Sequence, residues 1–263
     1  MYRTTMYLEK ENAHIRDKDI TFEEGPHIYT VKGDSSFKSV TTFVHSHFSH
    51  FNAEETIQKI LNGNKINDPS YKYYNMNKEQ IFSQWENKRI VSSTAGTKMH
   101  YDIECFYNKM DVKNDSIEYK YFEQFVKDFP ELKAYRTEWM VYYEELKLSG
   151  SIDMVFELPD GTLQIYDWKR CEEIVHEPYF LKFALTDCVK HLPDSNFWHY
   201  SMQLNIYRGI LERKYGKTIS GLYLVCLHPN NMNKSYDRIE VPFLDKEIDD
   251  LFEYRRRRQI NKK

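Results

Sequence analysis

The chain has no apolar run approaching the roughly 18 residues of a membrane-spanning helix, so none is expected. Its start, Met1-Tyr2-Arg3-Thr4-Thr5, is polar where a secretory signal needs an apolar stretch, so the expected location is intracellular, cytoplasmic or nuclear. Cysteine is scarce: Cys105, Cys171, Cys188 and Cys226 are separated by 66, 17 and 38 positions. Without a C-x-x-C pair they fit neither a zinc knuckle nor an iron–sulfur cluster, and read instead as reduced core thiols. There is no internal repeat and no Gly/Ser/Pro-rich linker, so the 263 residues read as one elaborated domain. Its expected parts are an N-terminal elaboration over about 1–86, a core over about 87–230, and a C-terminal strand and basic helix over about 238–263.

A basic excess is also missing. There are 37 basic against 40 acidic side chains, a net charge of -3, where nucleic-acid binders often show a strongly positive balance. The sum hides a local concentration: from Leu251 onward the chain holds +6 against -1, leaving -8 elsewhere. Arg255, Arg256, Arg257 and Arg258 with Lys262 and Lys263 read either as a phosphate grip or nuclear address, or as a solvated helix end favoured by its dipole.

What is abundant is aromatic: 21 Tyr, 16 Phe and 4 Trp. Two strands are expected around Glu24-Gly25-Pro26, with Ile20, Phe22, Ile28 and Val31 as apolar positions, and Ser39-Val40-Thr41-Thr42 supplies hydroxyl caps for a short helix. The stretch 52–90 reads as mostly helical and polar, and a helix from about Asn87 to Met110 aligns Gly96, His100 and Glu104 on one face. Then the period becomes 2, giving strands over 135–144, 151–158 and 162–169 in an antiparallel meander. An amphipathic helix over 198–214 ends at Gly216, followed by strands Gly221–Leu227 and Ile239–Phe243 and a helix from Asp245. The core order is αβββαβ, an α/β (α+β) class.

Pro159-Asp160-Gly161 marks a hairpin turn, and centring it on Asp160 sets Asp153 opposite Asp167. Opposed Cβ atoms sit about 5 Å apart, where two like charges destabilise the ladder. Lys169 shares that face by alternation, and Glu138 joins Asp153 if the preceding hairpin centres between Glu145 and Leu146. Three acids against one base in a partly buried setting suit a hard divalent cation such as Mg²⁺ or Mn²⁺. A decorative Asp–Lys surface pair is the plainer alternative.

Gly150-Ser151-Ile152-Asp153, Asp167-Trp168-Lys169, Gln203-Leu204-Asn205-Ile206-Tyr207 and Gly96-Thr97-Lys98-Met99-His100 resemble, in order, the G-x-x-D, D-x-K, Q-x-x-x-Y and G-x-x-x-H signatures of RecB-like nucleases in the PD-(D/E)XK superfamily. With Ser39-Val40-Thr41, the set is similar to the branch of the mitochondrial genome maintenance exonuclease and Cas4-like enzymes, over about residues 27–258. The resemblance implies a restriction-endonuclease-like core, a central mixed sheet flanked by helices. It implies that Asp153, Asp167 and His100 ligate one or two Mg²⁺ or Mn²⁺ ions, with the Trp168 carbonyl and, less centrally, Glu138. Lys169 would orient or help deprotonate the attacking water, and Gln203 and Tyr207 would position metal ligands or the DNA backbone. Two departures stand out: the four-cysteine cluster of many relatives is missing, so no iron–sulfur cofactor is expected, and residue 167 is Asp rather than Glu.

The implied activity is phosphodiester hydrolysis in DNA, by an exonuclease or end-processing enzyme of recombination, repair or genome processing, with a helicase or recombination protein as a candidate partner. Alternatives are a cap-snatching-like RNA endonuclease and a catalytically silent DNA-binding subunit. The abundance of Lys, Asn, Ile and Tyr fits an AT-rich genome such as that of a virus or phage. Elsewhere, His45, His47 and His50 lack a fourth zinc ligand and read as a solvated or DNA-facing loop. Tyr71, Tyr73, Tyr74 and Trp85 read as core packing ahead of base stacking. Glu104, one turn beyond His100, reads either as a further member of the metal set or, at least as well, as part of a hydrogen-bond network.

Overall fold

In a computed structural model describing residues 6–178 and 181–260, the chain forms two compact units, Met1–Ser49 with His100–Lys263, and His50–Met99. The larger unit opens with α1 (Tyr7–Glu11) and the antiparallel pair β1 (Ile20–Glu23) and β2 (Ile28–Val31), followed by β3 (Lys38–Ser39) and α2 (Val40–His45). Ser39 caps α2 by accepting from the Thr42 amide at 3.1 Å, as its hydroxyl run predicts. Ile20 faces Val31 and Phe22 faces Tyr29, so Tyr29 and Val31 are the buried positions of β2, and Ile28, expected inside, is exposed.

The smaller unit contains α3 (Ala53–Leu61) and the first part of α4 (Lys78–Tyr107). Its apolar centre is Ile57, Tyr73 and Ile81, with Tyr71 and Trp85 packed against them and the Trp85 indole donating to the Tyr73 hydroxyl at 2.6 Å. The packing expectation thus holds for Tyr71, Tyr73 and Trp85, while Tyr74 is exposed. The stretch 62–77 is largely irregular. The second helix begins nine residues earlier than Asn87 because Asn77 and Gln80 cap it reciprocally: the Gln80 amide donates to Asn77 Oδ1 at 2.9 Å and the Asn77 amide to Gln80 Oε1 at 2.8 Å.

From His100 the larger unit resumes through the end of α4, α5 (Ile117–Asp128), β4 (Lys133–Tyr143), β5 (Leu148–Glu157) and β6 (Leu163–Lys169), then α6 (Asn196–Lys214), β7 (Ile219–Cys226), β8 (Asp237–Glu240) and α7 (Asp245–Ile260). Strands β4, β5 and β6 form the antiparallel meander, β7 adds parallel to β6, β8 adds antiparallel to β7, and β3 lies parallel against the start of β5. This is a central mixed sheet flanked by helices. Leu163, Ile165, Leu222 and Leu224 share the principal core with Leu204, Ile210, Leu211 and Phe252 of α6 and α7. A second layer comes from α5, which sequence reading missed: Phe125 meets Trp168 at 5.3 Å and Phe122 meets it at 5.7 Å between ring centres. Gly216, with φ +61, follows α6 in the left-handed conformation that terminates helices. Among the described residues no helix is long and apolar enough to cross a membrane.

Candidate active site

Three strands and two helices of the larger unit converge on one acidic cluster. The β5–β6 ladder pairs Met154 with Tyr166 and Val155 with Ile165, so one further step sets Asp153 against Asp167. The turn has the geometry its sequence predicts: Gly161 adopts φ +80 and the Thr162 amide donates to Asp160 Oδ1 at 2.9 Å. On the other side, β4 pairs Thr137 with Met154 and Trp139 with Ile152, which sets Glu138 beside Asp153. Glu138 itself adopts φ +43, a left-handed conformation inside a strand and an unfavourable one for a side-chain-bearing residue.

One ligating atom each from His100, Glu138 and Asp153 lies within 4.8 Å of the others. His100 Nδ1 is 3.5 Å from Asp153 Oδ2 and 3.8 Å from Glu138 Oε1. Asp153 Oδ2 also accepts the Trp168 amide at 3.0 Å. The Lys169 carbonyl accepts from Leu227 on the β7 side, so alternation turns the Trp168 amide and carbonyl toward Asp153. Two carboxylates, an imidazole and a nearby carbonyl are a donor set that fits Mg²⁺ or Mn²⁺.

Asp167, 2% exposed, stands one step away with different partners. Lys169 Nζ approaches its Oδ2 at 2.6 Å, and Gln203 Nε2 donates to its Oδ1 at 3.2 Å. Tyr207 packs on the start of β5 so tightly that a Cβ at Gly150 would fall 2.6 Å from its hydroxyl oxygen, which explains the glycine three residues before Asp153. Glu104 is buried nearby on α4 and lies outside the three-residue ligand group.

The electrostatics follow from burial and crowding. Burial, then the Asp167 charge, raises the Asp153 carboxyl above its usual range. Burial alone would lower the His100 pKa, but Asp153 and Glu138 prevail and raise it to about 9. Burial likewise opposes the Lys169 charge, and Asp167 and Asp153 overcome it, so its pKa stands above the ordinary lysine value. The protein alone therefore holds Lys169 as an ammonium rather than as a free base. Tyr207 is raised well above the tyrosine range, first by burial and then by Tyr29 and the acids, and stays a neutral phenol.

Three side chains that sequence reading passed over complete the arrangement. The Ser151 hydroxyl donates to Glu138 Oε2 at 2.9 Å. Tyr29, buried on β2, has its pKa raised first by burial and then by the nearby Glu138 and Asp153 charges. The Tyr200 ring lies 4.3 Å beneath Lys169 Nζ. Ser151 sits inside Gly150-Ser151-Ile152-Asp153 and Tyr200 one turn before Gln203, so local spacing offered a signal for both. Tyr29 is more than a hundred positions from the strands it meets and offered none.

The remaining candidates lie elsewhere. His47 is buried rather than solvated: its Nδ1 is 2.8 Å from Thr186 Oγ1, its ring meets Phe43 edge-on, and burial lowers its pKa to about 4. His45 is exposed beside His199, and His50 belongs to the other unit. In the basic cluster, Arg255 is half-buried and donates to the Leu146 carbonyl at 2.9 Å, while Arg256 and Arg257 pair with Glu253 at 2.7 and 2.9 Å. Lys262 and Lys263 lie outside the described residues.

No family model matches the chain, and no curated protein matches it. Among solved structures, the crystal structure of a "Putative exonuclease" from Eubacterium rectale is similar over 60% of this chain and 70% of its own, at 14% identity and a TM-score of 0.32.

Proposed function

We propose that the chain is a metal-dependent DNA nuclease, an exonuclease or end-processing enzyme that hydrolyses phosphodiester bonds. The observation that carries this reading is the pairing of His100, Glu138 and Asp153 within 4.8 Å with an adjacent Asp167–Lys169 pair at 2.6 Å. Acidic excess next to a fixed ammonium suits a divalent cation on one side and the developing charge of an attacked phosphate on the other.

His100, Glu138 and Asp153 would hold the ion, with Asp167 and the Trp168 carbonyl as further donors. When bound, the ion supplies charge that offsets the non-bridging phosphate oxygens and lowers the pKa of nearby water. Lys169, held between Asp167 and the Tyr200 face, would place its ammonium where a water loses a proton, stabilising the resulting hydroxide electrostatically. That water would attack phosphorus in line, the bond to the leaving oxygen would break, and the proton that the water gives up to solvent would be balanced by one taken from solvent at the leaving oxygen. Gln203 fixes Asp167 Oδ1, so the carboxylate keeps its other oxygen toward Lys169. Tyr207, a buried neutral phenol, forms a dry floor beneath β5.

Labelled single- and double-stranded DNA and RNA incubated with Mg²⁺, Mn²⁺ or a chelator, with wild type beside Asp153→Ala and Lys169→Ala, tests the reading. DNA cleavage that needs the ion and both residues supports it, and the order of products gives exo or endo mode and polarity. Cleavage indifferent to the chelator or to both substitutions sinks it. RNA-only cleavage would favour a cap-snatching-like endonuclease, and DNA binding without cleavage a silent subunit.

A further inference from the structure

Cys171 and Cys226 have no part in the proposed chemistry, yet they meet at its edge. Their Sγ atoms lie 3.7 Å apart, and the Cys226 thiol donates to the Cys171 carbonyl at 3.0 Å. Cys171 comes two residues after Lys169 where β6 leaves the sheet, and Cys226 is the residue of β7 that stands opposite Lys169. Cys226 is 2% exposed and Cys171 is partly open to solvent. Bonded sulfurs sit about 2 Å apart, so the two thiols need approach by less than their present gap to join. Such a pair differs from an isolated buried cysteine in carrying its own resolving partner.

We propose that Cys171 and Cys226 form an oxidisable dithiol, closed by a peroxide into a reversible disulfide that staples the Lys169 end of β6 to β7. The Cys171 sulfur, the more accessible of the two, attacks one peroxide oxygen and gives up its thiol proton. The O–O bond breaks, the departing hydroxide takes a proton as water, and Cys171 becomes a sulfenic acid. The Cys226 sulfur then attacks Cys171 Sγ, the S–O bond breaks, and hydroxide leaves as a second water. Both thiols are oxidised and one peroxide is reduced. A dithiol reductant reverses the bond by exchange. Lys169 is confined between Asp167 at 2.6 Å and the Tyr200 ring at 4.3 Å, so tightening the backbone two residues away shifts the ammonium and lowers activity at the site. That last step rests on the proposed nuclease reading; formation of the bond does not.

The test treats the folded protein with hydrogen peroxide, blocks remaining thiols, and digests it with trypsin. Cleavage after Arg170, Lys182, Lys217 and Lys234 puts the two cysteines on separate peptides, 171–182 and 218–234, which only a disulfide joins. The expected result is that joined pair, lost on reduction, absent in Cys171→Ser and in Cys226→Ala, and unaffected by Cys188→Ser. Free thiols at both positions after treatment that oxidises a model dithiol would overturn the proposal, as would indiscriminate pairing with Cys105 or Cys188. If wild type cleaves DNA, oxidation should depress cleavage at least several-fold with recovery on reduction, and Cys171→Ser should resist. A joined pair with unchanged cleavage overturns the link to Lys169, and absence of any cleavage by the reduced protein counts against the nuclease reading instead.

Discussion

Two polar networks meet on β4, and they are built on opposite principles. Around Arg136, charges balance. Its guanidinium donates to Asp17 Oδ2 at 2.7 Å, the Trp139 indole donates to the other Asp17 oxygen at 3.0 Å, Arg16 meets Glu144 at 2.7 Å, and Lys32 stands 3.8 Å from Asp19 and 3.4 Å from Glu144. Three acids face three permanent cations. Two residues further along, around Glu138, three acids face one lysine and a histidine whose charge the acids themselves induce. The first network ties the N-terminal segment to the sheet; the second leaves negative charge uncompensated in a half-buried place. A protein keeps such an imbalance where a bound cation or a substrate completes it, because otherwise it only lowers stability.

The comparison breaks most visibly in activity. Asp153→Asn or Lys169→Ala should reduce ion-dependent DNA cleavage on the order of 10³-fold, as expected when charge stabilisation of a transition state is removed. Asp153→Asn should do so without unfolding the protein. Asp153→Asn removes a carboxylate held above its usual pKa by burial and Asp167, so in chelator its denaturation midpoint should equal or exceed that of wild type. A large loss of stability in Asp153→Asn would mean that the cluster is structural after all.

Arg136→Met should show the reverse. With a 4%-exposed side chain, Arg136 leaves Asp17 without its cation when removed, which costs about 3 kcal/mol in urea unfolding. Cleavage per folded molecule should stay unchanged. If Arg136→Met instead silenced cleavage while leaving stability intact, the division between the two networks would be wrong.

A smaller effect separates them by pH. In the chelated protein, His100 has a folded pKa of about 9 against an ordinary 6.5, so its contribution is fully present below 6.5 and fades as pH rises through 9. The raised Asp153 acts in the same direction: the folded state favours its protonated form, so that stability is present at acid pH and lost as pH rises. Thermal midpoints in chelator should therefore decline from acid toward pH 9, less steeply in His100→Gln. Mn²⁺ should raise the midpoint more at the alkaline end, where no proton competes for the ligands. A midpoint flat with pH in both proteins would contradict the cluster's electrostatics.

How much of this was legible in the sequence follows the range of the interactions. The β5–β6 register was readable because a short turn and a period of two fix it, while the β4–β5 register was readable only on the condition that its longer turn centres between Glu145 and Leu146; both are present, with Met154 opposite Tyr166 and Thr137 opposite Met154. The Ser39 cap and the Gly216 stop were local for the same reason. The early start of α4 was legible too, in Asn77 and Gln80, and was passed over because the first turns carry few apolar residues. The helix α5 was missed where its aromatic residues read as generic abundance; Phe122 and Phe125 gain meaning only against Trp168, more than forty positions away. At the site, hairpin register and strand alternation offered the acids and Lys169, and the resemblance of the motifs to RecB-like signatures offered His100 and Gln203, while Tyr29 and the Lys169–Tyr200 contact depend on packing that no local pattern encodes.

The smallest expected effect concerns Glu138 itself. Its φ of +43 is a conformation in which a Cβ crowds the backbone, and about 1–2 kcal/mol is the usual cost for a residue with a side chain. Ser151 holds its Oε2 at 2.9 Å and His100 lies 3.8 Å from its Oε1, so the strained backbone presents the carboxylate toward Asp153. Glu138→Gly removes both the strain and the carboxylate. In chelator it should gain on the order of 1 kcal/mol, reduced by the greater freedom glycine has when unfolded. Glu138→Gln keeps the side chain and the strain, so it should gain less than glycine while losing comparable ion-dependent stabilisation. If Glu138→Gly were less stable than Glu138→Gln, the left-handed conformation would not be a cost borne for placing this carboxylate, and Glu138 would belong with the balanced network around Arg136.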